Sequence, residues 1–228
     1  MDFGIRYWGG IQITDDITIY ITETMVITWV VMAILISFAI VVRIKLKNFQ
    51  QQPKGFQNFV ELCIESFENL FSGAAGKKVA YLAPWFFTVF SYIMLANMLG
   101  ATGMRPPTAD WGMTFPLAMG TFLILQYASF RYRPKAYVKS LFQPIFLFFP
   151  MNVIGELAKP ISLSFRLFGN ILGGMILISI LYSMLPVFLR YLLPVPIHMY
   201  FDLAVGILQA FIFTMLSLAF LGLAAEVE

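Results

Sequence analysis

Five long stretches without a charged residue constrain the fold of this chain more than any other feature. They comprise residues 24–42, 79–104, 111–130, 167–189 and 203–225. Each reaches about the 20 mostly apolar residues that a helix needs to cross a bilayer. The composition agrees, since only 12% of the residues are charged, against about 25% in an ordinary soluble domain. The sequence therefore predicts an all-α, polytopic integral membrane protein with five membrane helices in one membrane domain, residues 1–228.

The distribution of basic side chains predicts how these helices are oriented, because lysine and arginine concentrate on the cytoplasmic side of a membrane. Here they follow the first and the third stretch, at Arg43, Lys45, Lys47, Lys54, Lys77, Lys78, Arg131, Arg133, Lys135 and Lys139. We therefore expect the N-terminal segment, residues 1–23, to lie outside and the C-terminus, with Glu226 and Glu228, to lie in the cytoplasm. The net charge of +3 includes no dense basic run, which argues against nucleic-acid binding.

Two shorter segments are apolar without having the length of a membrane span. Residues 55–72 place apolar side chains at helical spacing opposite a polar face with Glu61, Glu65 and Glu68. They predict a cytoplasmic amphipathic helix, which either lies on the membrane interface or packs on a partner subunit. Residues 140–155 are interrupted by Pro144 and Pro150, so we interpret them as a connector or a re-entrant piece.

The last two membrane helices are predicted to be longer than a bilayer is thick. The helix-compatible pattern covers residues 151–185 and 197–225, which correspond to roughly 50 and 43 Å against a hydrocarbon core of about 30 Å. We therefore expect residues 151–225 to form a long, steeply tilted hairpin. Its turn is predicted between Pro186 and Pro196, with a bend at Pro160.

Arg166 is the side chain in this hairpin that most needs an explanation. A charge deep in a membrane helix costs about 2.5–3.5 kcal/mol on insertion scales, and arginine does not escape by deprotonating. Glu156 is about 15 Å away along the helix and is better placed to pair with Lys159, at i,i+3. Asp202 on the last helix is the other candidate partner. We infer that Arg166 faces a carboxylate from another chain at least part of the time; the alternative is an arginine that extends to the interface.

Polar and small residues form a stripe on each of the two long helices. Around Arg166 the stripe consists of Lys159, Ser162, Gly169, Asn170, Gly173 and Gly174, and on the last helix it consists of Asp202, Gly206, Gln209 and Phe213. The two stripes are predicted to line one groove. The alternative for Asn170 and Gln209 is hydrogen bonding between helices, and for the glycines it is helix packing. Asn97, Thr102 and Asp110 form either an outer polar vestibule or a loop, and His198 is interpreted as a bystander.

Two motifs in the hairpin resemble a known family. Residues 155–170, GELAKPISLSFRLFGN, closely resemble the signature of subunit a of bacterial F-type ATP synthases, and residues 208–216, LQAFIFTML, resemble its last-helix signature. The length and the order of the spans are similar as well. The resemblance implies a non-catalytic stator subunit of the bacterial plasma membrane, without cofactor or metal. Its implied partners are a rotating ring of c subunits, a b-type peripheral stalk subunit and membrane lipid.

The resemblance also implies roles for individual residues. Two aqueous half-channels would load and unload H⁺ or Na⁺ on the carboxylates of the ring, while Arg166 faces those carboxylates and prevents a leak. Gln209 matches a glutamine that lies close to the arginine, and Ser162 and Asn170 match polar positions near the half-channels. Glu156, Lys159 and Asp202 are further candidates for the ion path. The small residues predicted to face the ring are Gly169, Gly173, Gly174 and Gly206.

The sequence departs from a common family pattern at two positions. Met175 stands where many members have a carboxylate, and Asp202 stands where many have histidine or glutamate. We therefore expect Asp202 alone to serve the outer half-channel. The main alternative function is a self-contained ion channel or secondary transporter, which would normally carry its own mid-membrane carboxylates and often an internal repeat. A membrane enzyme is disfavoured by the single histidine and the lack of an HExxH-type motif.

Overall fold

The computed structural model describes residues 7–14, 17–47, 55–100, 104–143, 145–186, 196–197 and 199–225. Within these ranges, five helical segments are long and apolar enough to cross a membrane: Glu23–Lys45, Lys77–Gly100, Trp111–Tyr132, Phe146–Met184 and Met199–Ala225. Their outer faces expose large apolar side chains such as Ile36, Phe38 and Leu123, as expected where the surrounding solvent is lipid. The prediction of a polytopic, mainly helical membrane protein is therefore confirmed.

An antiparallel β-hairpin precedes the first helix and was not predicted from the sequence. Strand β1 (Tyr7–Thr14) pairs with β2 (Ile17–Thr22). The available signal was the alternation of isoleucine with threonine and tyrosine in β2, which has the two-residue period of a strand. Helix α1 (Glu23–Lys45) follows directly, and the hydroxyl of Thr22 caps it by accepting a hydrogen bond from the backbone N–H of Met25 at 3.3 Å.

The amphipathic segment forms helix α2 (Phe56–Ala75), whose most buried side chains pack within the chain. Phe67 and Phe71 join one buried cluster with Phe86 of α3 (Ala83–Gly100) and with Leu218 and Leu221 of α7 (Gly206–Ala225). Phe59 remains exposed, so part of the apolar surface is still uncovered. The helix is as predicted, whereas its place on a membrane interface or on a partner stays a prediction.

The contact between α2 and α7 depends on a small residue at Gly222. A Cβ atom added there would lie 2.6 Å from the backbone oxygen of Ala74. The backbone cannot move aside as a flexible side chain can. We therefore expect Gly222→Ala to lower the free energy of unfolding of the purified protein by about 1–3 kcal/mol, measured by thermal unfolding. Gly73→Ala, on α2 with open space around the added Cβ, is the matched control and should not destabilise. Equal melting of both variants would contradict the prediction.

The middle of the chain forms α4 (Trp111–Tyr132), α5 (Pro134–Phe142) and α6 (Phe149–Met184). The predicted connector is thus divided, since residues 140–142 end α5 and residues 149–155 begin α6. Asn152 holds this turn by donating from its amide nitrogen to the carbonyl oxygens of Leu141 and Gln143, each at 2.9 Å. These carbonyls would otherwise lack a partner at the end of α5.

The two long helices have the predicted extent but do not pack mainly on each other. Helix α6 has 36 residues, or about 54 Å, and it continues through Pro160. It packs chiefly on α4, whereas α7 packs chiefly on α3 and α4. A second buried cluster joins these four helices: Val89, Ile93, Ala118, Leu163, Leu167, Ala210 and Phe213. The steep tilt stays a prediction, and most of the predicted turn, residues 187–195, lies outside the described residues.

The bundle has two chemically different ends. At one end lie Lys77, Lys78 and Arg131, and there Tyr132 donates a hydrogen bond to the carbonyl oxygen of Lys78 at 3.1 Å. We call this the basic end. Helices α4 and α7 finish there, and α6 begins there. We call the other the opposite end, where α3 finishes and α4 begins. Arg166 is near the middle of α6 and therefore lies far from both ends.

Candidate functional site

Arg166 lies on an exposed face of α6 and not in the packed interior. The adjacent residues Leu163, Ser164 and Leu167 are buried against the bundle, so the helix turns its arginine away from the core. Among the residues that the structure describes, Arg166 makes no hydrogen bond or ion pair. The prediction that no carboxylate of its own helix reaches Arg166 is consistent with this geometry.

A cleft of about 260 Å³ opens beside Arg166, and we call it the Arg166 cleft. Its polar wall is formed by three residues at helical spacing on α6, Lys159, Ser162 and Arg166, and its apolar wall includes Leu216 and Phe220 of α7. Ser162 is exposed and contributes a hydroxyl one turn from the guanidinium. The cleft therefore gives the Arg166 side chain open space and polar neighbours in an otherwise apolar region.

Asn170 and Gln209 connect the two long helices at the level next to Arg166. The amide nitrogen of Asn170 donates to the side-chain oxygen of Gln209 at 2.6 Å. Gln209 is only 1% exposed, and its Nε2 atom has no hydrogen-bond partner in the described part of the chain. A buried amide donor without an acceptor costs about 1–3 kcal/mol, so a water molecule or another acceptor near Nε2 of Gln209 would be stabilising.

The small residues divide into an outward and an inward pair. A Cβ atom added at Gly169 or Gly173 would meet nothing within 4 Å, and both glycines are exposed. An added Cβ at Gly174 would lie 3.0 Å from the ring of Phe201, and one at Gly206 would lie 2.8 Å from Cβ of Asn97. Gly174 and Gly206 therefore pack inside the chain, which the sequence did not distinguish from packing on an outside surface.

The sequence predicted that the stripes on α6 and on the last helix line one groove, and this prediction is wrong for the stripe on the last helix. Phe213 is fully buried in the cluster with Leu163 and Leu167, and Gly206 is buried against α3. The stripe on α7 therefore faces the bundle interior, because α3 and α4 cover it. It meets the stripe of α6 at the Asn170–Gln209 hydrogen bond, and the open surface belongs to α6.

Glu156 and Lys159 form the predicted i,i+3 pair, with Nζ of Lys159 donating to Oε1 of Glu156 at 2.5 Å. The same ammonium lies 5.5 Å from the ring centroid of Phe220, in a cation–π arrangement. A second contact comes from α4, where Nε2 of Gln126 donates to Oε2 of Glu156 at 3.3 Å. Both oxygens of the carboxylate are therefore held, each by a different helix position.

These residues line a second cleft of about 190 Å³, which we call the basic-end cleft. Its polar lining comprises Gln126, Ser129, Arg133, Tyr137, Ser140, Glu156 and Lys159. Burial raises the pKa of the Tyr137 hydroxyl above its ordinary value, the neighbouring amide of Gln126 lowers that pKa, and the charge of Glu156 raises it. Gln126 and Tyr137 were missed in the sequence, although Gln126 is the only amide side chain in the apolar residues 111–130.

At the opposite end, Asp202 lies in a π-helical segment, Met199–Val205, that was not predicted. Such segments are rare and are frequent at functional sites. The Asp202 carboxyl carbon would lie 3.7 Å from a Cβ added at Gly100, at the end of α3. Asp202 is half-buried, and two turns of helix separate it from Gln209.

The other polar residues of the opposite end are held structurally. Asn97 is 1% exposed; its Nδ2 donates to the carbonyl oxygen of Gly206 at 3.0 Å, and its Oδ1 accepts from Thr108 at 2.5 Å. Asp110 caps α4 by accepting from the N–H of Gly112 at 3.0 Å and accepts from Thr24 at 3.2 Å. Thr102 and His198 lie outside the described residues. In the described ranges, no three acidic, histidine or cysteine side chains cluster as metal ligands would.

Comparison with known proteins adds to this geometry. Residues 25–222 match the model of the ATP synthase A chain family. The chain is 36% identical to ATP synthase subunit a of Moorella thermoacetica, over 89% of this chain and 90% of that protein. It is 34% identical to the sodium-ion-specific ATP synthase subunit a of Propionigenium modestum, over 88% and 73%, respectively. It is 33% identical to ATP synthase subunit a 2 of Syntrophotalea carbinolica, over 87% and 84%.

Proposed function

Because the chain belongs to the ATP synthase A chain family, we propose that it is the non-catalytic stator subunit that carries ions to and from a rotating ring of c subunits. One observation supports this proposal above the others. Arg166 lies at mid-helix on an exposed face, and the described part of the chain supplies no counter-charge for it. A membrane arginine needs such a partner, and a passing ring carboxylate is one.

The exposed face of α6 is the surface proposed to meet the ring. Gly169 and Gly173 leave space beside Arg166, and small residues allow close helix approach in membranes. A ring helix lying on this face would bring its carboxylate to the guanidinium. The bond would form and break as the ring turns, which suits a charge that has no partner among the described residues.

The ion path is proposed to consist of two half-channels that do not meet directly. The outer one would run from Asp202 to the Asn170–Gln209 pair, where Nε2 of the buried Gln209 side chain has no acceptor among the described residues. The inner one would run through the Arg166 cleft, past Ser162 and Lys159, to Glu156 in the basic-end cleft. Arg166 lies between them, so an ion would cross only by travelling on the ring.

The remaining assignments follow from the same proposal. The basic end would face the cytoplasm, as basic residues do in membrane proteins, in a bacterial plasma membrane with the N-terminus outside. A b-type peripheral stalk subunit and lipid would cover other faces. The coupled ion is H⁺ or Na⁺: the Propionigenium modestum relative is named sodium ion specific, but the ion is chosen by the carboxylate site of the ring, which is in another chain.

Disulfide cross-linking in the assembled complex tests whether α6 meets the ring. In a Cys63→Ser background, Gly169→Cys should cross-link to a cysteine placed beside the ring carboxylate, because Gly169 is open to the outside and lies within one helical turn of Arg166. The matched control is Ile178→Cys on the same helix, which is 2% exposed and faces the bundle. Cross-linking from position 178 and none from position 169 would overturn the proposed surface.

The self-contained channel or transporter remains the alternative, and it predicts a different result. The purified chain alone in vesicles should conduct no ions if the ring supplies the carboxylate. Conduction without the ring, at the rate of the assembled membrane sector, would favour the alternative.

A further inference from the structure

A contact between α4 and α6 holds the Glu156 carboxylate in the basic-end cleft, next to the boundary with the Arg166 cleft. The Oε2 atom of Glu156 accepts a hydrogen bond from Nε2 of Gln126 at 3.3 Å, and its Oε1 atom accepts one from Nζ of Lys159 at 2.5 Å. The two donors come from different helices, α4 and α6. The carboxylate is thereby fixed in direction as well as in place, since each oxygen has its own donor.

Glu156 is held close to the boundary between the two clefts. Lys159 and Phe220 line both the Arg166 cleft and the basic-end cleft. The ammonium of Lys159 lies over the Phe220 ring, 5.5 Å from its centroid, so these two side chains separate the clefts. Glu156 lines only the basic-end cleft. An ion leaving the Arg166 cleft toward the basic end would reach Glu156 immediately beyond this boundary.

Gln126 has a second feature that a purely structural contact does not require. Its Oε1 atom is buried and has no hydrogen-bond partner in the described residues. Beside it are the carboxylate of Glu156 and, close to its amide, the hydroxyl of Tyr137. A buried acceptor without a partner is unfavourable for stability, so a contact that only held the two helices together would not require one.

We propose that Gln126 is a positioning residue for ion transfer, which orients Glu156 to exchange the ion between the Arg166 cleft and water in the basic-end cleft. This inference rests on the proposed function and adds one residue and one step to it. Gln126 donates to Oε2, so that Oε1 stays toward Lys159 at the boundary.

A double-mutant cycle in the whole reconstituted complex tests this role. Gln126→Met keeps the length of the side chain and removes the donor, and it should lower ion-driven ATP synthesis and ATP-driven ion pumping about 3- to 10-fold. If Gln126 acts through Glu156, the double variant with Glu156→Gln should be no slower than Glu156→Gln alone. Rates are expressed per assembled complex. Losses that multiply in the double variant would overturn the inference.

Two further variants separate positioning from a structural role. Gln126→Asn keeps an amide on α4 but is too short to reach Glu156 Oε2, so it should lose the same activity as Gln126→Met. Recovery of near-normal rates in Gln126→Asn would contradict the proposal. The matched control is Thr121→Val on the same helix, because the Thr121 hydroxyl donates to the carbonyl oxygen of Leu117 at 3.0 Å within α4 and lines neither cleft; this variant should keep the wild-type rate.

Failure of this inference is distinguishable from failure of the proposed function. Near-normal synthesis in the Gln126 variants, together with complete loss in Arg166→Ala, would reject the role of Gln126 alone. Full synthesis in Arg166→Ala would instead reject the stator assignment.

Discussion

Arg166→Ala is expected to abolish ion-driven ATP synthesis by the assembled complex. Arg166 is the charge at the middle of α6 for which the described chain supplies no partner, and in the proposed function a ring carboxylate is its counter-charge. Without it, an ion would pass between the half-channels without turning the ring. Each charge crossing 100 mV would then dissipate about 2.3 kcal/mol. Synthesis and passive ion flux in vesicles containing the variant complex measure both effects.

Two controls make this result specific. Arg131→Ala removes an exposed arginine at the end of α4, outside both clefts, and should leave synthesis per complex unchanged. Arg166→Lys keeps the positive charge but loses the planar fork that matches a carboxylate, so it should also fail to support normal synthesis. The stator assignment would be contradicted if the complex with Arg166→Ala made ATP at the wild-type rate and showed no increase in passive ion flux.

The sequence predicted those features that depend on a single helix. The spans followed from length and the absence of charge, since a bilayer imposes both on any helix that crosses it. The Glu156–Lys159 pair followed from i,i+3 spacing, which fixes which side chains meet on one helix. The isolation of Arg166 followed from the same geometry, because the nearest carboxylate on its helix is too far along the axis.

The features that were missed depend on how helices pack on one another. Nothing in the spacing of Gly206, Gln209 and Phe213 shows that α3 and α4 cover that side of α7, so the stripe was assigned to an open groove. Gln126 reaches Glu156 only because α4 lies against α6. The β-hairpin is different, since residues 17–22 alternate as a strand does and their pattern was available.

The π-helical segment around Asp202 could not be predicted from residue patterns either. It differs from an α-helix by one extra residue in a turn, which shifts the direction of the side chains beyond it. The register between Asp202 and Gln209 therefore comes from the backbone of Met199–Val205. That register places a half-buried carboxylate beside the end of α3, next to Gly100.

Replacing Asp202 is expected to slow ion entry at the opposite end. Met175 supplies no carboxylate on α6, so Asp202 is the acid that we expect to serve the outer half-channel alone. If the carboxylate stabilises the entering ion by about 1–3 kcal/mol, its loss corresponds to a roughly 5- to 150-fold lower rate of ion entry. Asp202→Leu should show the larger loss and Asp202→Asn a smaller one, because the amide still binds water. ATP synthesis per assembled complex, with the ion supplied on the outer side, measures both.

The matched control for Asp202 is Asp110→Asn, which removes the charge of another acid at the same end. Asp110 is engaged with the N–H of Gly112 and the hydroxyl of Thr24, and asparagine caps a helix about as well as aspartate does. This variant should therefore keep the wild-type rate once complexes are counted. If Asp202→Asn and Asp202→Leu were both fully active, Asp202 would not lie on the ion path. The outer route would then have to reach Gln209 without a carboxylate, at the buried amide donor for which the described part of the chain supplies no acceptor.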